Sequence, residues 1–114
     1  MLSDMNRDQL QARIERIKGE IAGLGPLRPG TVYRRENVCG RPGCKCGRKK
    51  DPIKHGPYHY LSYTFAGKSH TEFVRRGNVG RVRKEIRNYE RLMRLVKELV
   101  ACGIELARLE REDS

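Results

Sequence analysis

A chain of 114 residues with 37% hydrophobic and 34% charged side chains, no Trp and two Phe, is long enough for one domain, short of two, and lean in core material. No apolar run approaches the ~18 residues of a bilayer span, and the opening stretch lacks the basic-then-apolar layout of an export signal, so a cytoplasmic protein without a membrane partner is expected. The formal net charge of +11 is uneven: residues 28–55 hold nine basic and two acidic side chains and residues 81–97 net +5, while residues 1–27 balance and residues 98–114 net −3. Localised positive charge favours a polyanionic partner, nucleic acid above all, over the plainer reading of a solvated basic face.

The first segment, 4–24, reads as a helix. Leu10, Ile14, Ile17, Ile21 and Leu24 recur at steps of four, three, four and three, one apolar seam at heptad spacing. Ser3 or Asn6 can cap it, and Gln9 stands three after Asn6 as a capping-box partner. Gly23, Gly25 and Pro26 end it, and "GPLRPG" supplies turn chemistry.

A β region is expected over 31–75. "TVYRREN" (31–37) reads as a short strand, and the cysteine-bearing loop runs to about residue 57. "YHYLSYTF" (58–65) and "KSHTEFV" (68–74) flank "AG" as a hairpin. By alternation Tyr58, Tyr60, Ser62 and Thr64 share one face, and His59, Leu61, Tyr63 and Phe65 the other.

The last segment, 79–111, reads as a long helix with Asn78 as N-cap. It carries two apolar seams: Val82, Ile86, Tyr89, Met93, Val96 and Val100, then Leu92, Leu95, Leu99, Cys102, Leu106 and Leu109. So broad a stripe has room for the first helix, the sheet and a second chain. Cys102 on it is most simply a small buried hydrophobe. Lys84, Arg87, Arg91 and Arg94 form a cationic row at steps of three, four and three, with the acidic residues further on. A helix prefers its charges the other way round, so the row points to a role outside helix stability. The competing reading pairs Arg87 with Glu90 and Arg94 with Glu98.

The spacing Cys39-x4-Cys44-x-Cys46-x8-His55 offers three thiolates and an imidazole, a donor set for tetrahedral zinc. Gly40, Gly43 and Gly47 let the backbone turn tightly, and Arg41, Lys45, Arg48 and Lys49 offset the negative charge of a three-thiolate site. His55 is preferred as fourth ligand over His59 and His70. A reducing compartment favours metal over disulfides, and Cys44 and Cys46 flank a single residue. A redox pair, a catalytic cysteine and an iron–sulfur cluster compete, each with weaker support: no αβ scaffold, no carboxylate to orient His55, and rare histidine ligation. A closed structural zinc site carries no metal catalysis, so no enzyme activity is expected.

"CGRPGCKC" followed by "HGPYHYLSYTFAGKSHTEFV" and a long charged helix resembles a family of small bacterial and archaeal proteins known as a domain of unknown function. The resemblance covers about residues 29–100, with Cys39, Cys44, Cys46, His55, Gly56, Pro57, Tyr58, Gly67 and Lys68 on its pattern. It implies His55 as fourth ligand and an association with mobile elements, and brings no established activity.

The expectation is one α+β domain over 1–114: an antiparallel sheet of about three strands stapled by structural Zn²⁺ in a zinc-ribbon-like region, flanked by two helices packed antiparallel. Its function is nucleic-acid binding, DNA before RNA and duplex before single strand, as a mobile-element or phage accessory. Arg34, Arg35, Arg41, Lys45, Arg48, Lys49, Lys50 and Lys54 make one contact surface, and Lys84, Arg87, Arg91 and Arg94 a second, on a helix that fits the major groove. Tyr58, Tyr60 and Tyr63 are stacking candidates for a single strand, against core packing. The alternative is a protein-interaction module that binds an acidic partner, a larger complex or a second copy through its helices.

Overall fold

The computed structural model describes residues 2–37 and 55–113. The chain is α+β, with two helices and one three-stranded antiparallel sheet. It divides into two compact units, Met1–Leu27 with Arg87–Ser114, and Arg28–Ile86.

The first unit is a helical hairpin. A 3-10 turn over Leu2–Asp4 precedes helix α1, Arg7–Ala22, which is shorter than the expected 4–24. Ser3 lies in that turn and Asn6 is the cap. Its Oδ1 accepts from the Gln9 N–H at 2.8 Å while Gln9 Oε1 accepts from the Asn6 N–H at 2.9 Å. This closed capping box satisfies two orphan amides and fixes where the helix starts.

Helix α2 spans Val79–Asp113, 35 residues without proline. Most of its length belongs to the hairpin unit. Leu10 and Ile17 of α1 and Leu95 and Cys102 of α2 are buried together, with Ile14, Ile21, Leu24, Leu99, Leu106 and Leu109 packed around them. Each such side chain contributes about 2 kcal/mol of burial. The packing is antiparallel, since Arg13 pairs with Glu98 while Glu20 approaches Arg91 at 3.9 Å. The last turns run past the expected end at 111. Arg108 there donates to Glu105 and Glu112, both at 2.8 Å, and the first pairing holds its guanidinium pKa above the ordinary value.

The second unit joins the sheet to the first turns of α2. Strands β1 (Thr31–Asn37), β2 (His55–Phe65) and β3 (Lys68–Val74) lie in the order β1-β2-β3. Leu61, Val74, Val82 and Ile86 are its buried core, with Val32, Tyr63 and Val79 beside them. One sheet face therefore meets α2, and the alternation over β2 sorts residues as the sequence implies. The β2–β3 turn has positive φ at Ala66 and Gly67, the backbone of a two-residue hairpin loop.

Two boundaries in this unit also differ from expectation. Strand β2 starts at His55 rather than 58, because a register shift sets Gly56 and Pro57 of β2 against Glu36 of β1 and lets Asn37 pair with His55. Gly56 sits there at φ 108°, before a cis bond to Pro57. A Cβ on it would lie 2.7 Å from the Tyr58 nitrogen and 3.0 Å from the Arg35 carbonyl oxygen, so only glycine fits the bend. Asn78 is the end of a 3-10 turn, Arg76–Asn78, that runs directly into α2. Its N–H donates to the Arg75 carbonyl at 2.8 Å, so helical winding begins before the expected cap.

Candidate nucleic-acid interface and metal centre

Cys39, Cys44 and Cys46, with Arg41, Lys45, Arg48, Lys49, Lys50 and Lys54, lie outside the described residues. What the described residues do fix is the frame on either side. Asn37 and His55 are partners in the β1–β2 ladder, so the chain leaves the sheet and returns to it at one place, about 5 Å across. His59 is half-buried in β2, opposite Arg34 on one side and Val74 on the other. His70 is stacked on Tyr63, with centroids 4.8 Å apart. Among the described residues no three His, Cys, Asp or Glu side chains gather as a metal group. Cys102 is a free, fully buried thiol in the hairpin core, as its place on the apolar stripe implies.

Lys84, Arg87, Arg91 and Arg94 are all exposed on α2. Lys84 lies on the helix's first turns and the other three on the hairpin stretch. Glu98, the expected local partner of Arg94, is taken by Arg13, whose Nε donates to it at 3.1 Å. That hydrogen bond raises the Arg13 guanidinium pKa above its ordinary value. Arg91 comes within 3.9 Å of Glu20, an exposed pair of little strength. Lys84, Arg87 and Arg94 form no ion pair among the described residues. The row keeps most of its charge. Arg34 and Arg35 are adjacent and exposed on β1, and line a shallow hollow with Glu36 and Pro57.

Strand register decides the aromatic residues. Tyr33, Tyr60 and Phe73 are consecutive partners across the three strands, and Arg35 is paired with Tyr58. Ring centroids stand 5.7 Å apart for Tyr33–Tyr60, 5.9 Å for Tyr60–Phe73 and 6.1 Å for Tyr58–Phe73. This cluster occupies the face turned away from α2. Phe73 is 58% exposed and Tyr58 37%.

Tyr63 belongs to the other face. Its hydroxyl donates to Glu72 Oε1 at 3.1 Å, and Arg28 holds the other carboxylate oxygen of Glu72 at 2.9 Å. Partial removal from water, then the Glu72 hydrogen bond, pushes the Tyr63 phenol above its usual range. It packs against the buried cluster of the sheet unit, so of the three stacking candidates only Tyr58 and Tyr60 remain.

Arg28 and Phe73 were not singled out from sequence. Arg28 lies between two prolines in a turn and offers no periodic cue, yet its N–H donates to the Glu85 carbonyl at 3.2 Å and its guanidinium faces the Tyr63 ring at 6.0 Å. Phe73 was legible once the "AG" turn fixed the register, which sets it opposite Tyr60.

No helix among the described residues is long and apolar enough to cross a membrane. Neither the curated proteins nor the solved structures contain a match to this chain. A family model does match it, over residues 7–88, which take in α1, the sheet and the start of α2. The chain belongs to that family, the domain of unknown function DUF6788.

Proposed function

We propose that this protein binds nucleic acid, with a sheet unit closed by one structural zinc ion. The observation that carries the reading is the exposed row Lys84, Arg87, Arg91 and Arg94, three of whose members have no ion-pair partner among the described residues. Four cations over three turns of one helix form a phosphate-binding edge, and a helix of this diameter fits the major groove of duplex DNA. Arg34 and Arg35, with the basic residues of 38–54, add a second cationic surface.

Cys39, Cys44, Cys46 and His55 would hold the zinc, and binding it would link folding of the sheet unit to the metal. The Asn37–His55 pairing supports this, because it returns the chain to its point of departure beside one expected ligand. The ion's role is structural, and no catalytic step is assigned to it. An accessory role in a mobile element is consistent with this binding.

The test is charge reversal. Arg87→Glu combined with Arg91→Glu is expected to weaken oligonucleotide binding at least tenfold and to leave the circular dichroism spectrum unchanged. Unchanged affinity would remove the α2 row from the interface.

One observation favours a second reading, a protein-interaction module or homodimer. Met93, Val96, Val100 and Ile104 are exposed along one side of α2, 38–64% accessible. Sedimentation of Val100→Asp decides it, since a dimer held by this stripe becomes a monomer.

A further inference from the structure

The open face of the sheet carries chemistry that the α2 row does not use. Its residues follow from the register: Thr31, Ser62 and Thr71 in one row, Tyr33, Tyr60 and Phe73 in the next, Arg35 and Tyr58 beyond. Thr64 and Ser69 complete it towards the turn. None of these residues is acidic, the aromatic ones adjoin one another, and the charge is positive. Arg75, two positions past Phe73, lines a hollow at the β3 edge with Phe73, Arg28 and Arg81, so further cations stand beside the most exposed ring.

Rings side by side, with hydroxyls on one flank, Arg35 at one end and further arginines at the β3 edge, fit a ligand that is both planar and anionic. Unpaired nucleotide bases stack on aromatic faces, and the phosphates between them are neutralised by neighbouring cations. Duplex DNA cannot use this surface, because its bases are already stacked on each other. A second copy of the same face would set cations against cations.

We infer that the open sheet face formed by Tyr33, Tyr58, Tyr60 and Phe73 is a stacking platform for unpaired bases, so that the sheet unit binds single-stranded nucleic acid. This rests on the nucleic-acid reading above and adds the class of target to it. Phe73 and Tyr58 are the most accessible rings and take the largest share of contact. Arg35 and Arg75 hold the backbone.

The experiment is fluorescence anisotropy of a labelled oligothymidylate and of a labelled duplex, against the intact protein, Phe73→Ala, Tyr58→Ala and Phe73→Tyr. Loss of either ring is expected to lower single-strand affinity about tenfold, with duplex affinity and the salt slope unchanged. Phe73→Tyr, which keeps the ring, retains binding, and thermal melts near those of the parent exclude misfolding as the cause. Salt-sensitive binding that does not respond to removing either ring would overturn the platform and leave nucleic-acid binding standing. Absence of binding to any oligonucleotide at low salt would overturn both. A dimer in sedimentation that Phe73→Ala dissociates would also overturn it, because the face would then be covered by a second copy.

Discussion

The two units of this chain are stabilised in different ways. The helical hairpin buries Leu10, Ile17, Leu95 and Cys102, surrounds them with eight further apolar side chains, and pairs Arg13 with Glu98. The sheet unit buries four residues with three beside them, and leaves Phe65, Phe73 and Tyr58 exposed. It also takes in the most basic stretch of the sequence, residues 28–55. Apolar seams suffice for the hairpin. The sheet unit presents charge and rings on a small core, and this is where the proposed zinc would add most to stability.

The sharpest way to break that comparison is to deny the sheet unit its proposed zinc. Chelation, or Cys44→Ser, is expected to unfold the sheet unit outright while helical circular dichroism from the hairpin persists. Cys102→Ser is expected to keep zinc at about one ion per chain, as a buried packing residue should. Full zinc retention by the Cys44 variant, read by elemental analysis, removes that residue from the site.

Truncating the small core comes next. Leu61→Ala is expected to cost about 3 kcal/mol in chemical denaturation, because a fully buried leucine leaves a cavity that few neighbours can fill. The loss should appear in the near-ultraviolet tyrosine signal before the helical one. Coincident loss of both signals would mean that the two units unfold as one.

Gly56→Ala is a smaller perturbation. With φ at 108° and backbone atoms within 3.0 Å of the added carbon, it is expected to cost about 2 kcal/mol. A melt unchanged from the parent would show that the bend tolerates a side chain.

These sites also mark how much the sequence disclosed. The α1 seam, the Asn6–Gln9 capping box and the β2–β3 register are local patterns of fixed period, and each is legible from residue order. The start of β2 is not, since it depends on a register shift in which Gly56 and Pro57 of β2 stand against Glu36 of β1 across the sheet. The division of labour on α2 was half legible. Two seams are written in the sequence, and burial shows that Val82 and Ile86 of the first meet the sheet while Leu95 and Cys102 of the second meet α1. The partner of Glu98 was misassigned in the competing local pairing, because Arg13 lies 85 residues away in the chain. The proposed zinc ligands rest on spacing and donor chemistry, since three of them fall within 38–54.

The smallest expected effect concerns pH. Tyr63 has its phenol pKa raised in the folded chain, so the neutral form is favoured there over the unfolded state. That stabilisation is fully present below about pH 10 and lost as pH rises through the folded value. The stability difference between the parent and Tyr63→Phe should be constant at neutral pH and shrink in the alkaline range. A difference independent of pH would separate Tyr63 from the alkaline transition.

The central claim, that the exposed cations serve nucleic acid, is tested most directly by the salt dependence of oligonucleotide affinity. With roughly six phosphate contacts, log affinity should fall against log salt with a slope of about −4 on a single strand and −5 on a duplex. A slope near zero, or no binding below micromolar protein at low salt, would contradict it.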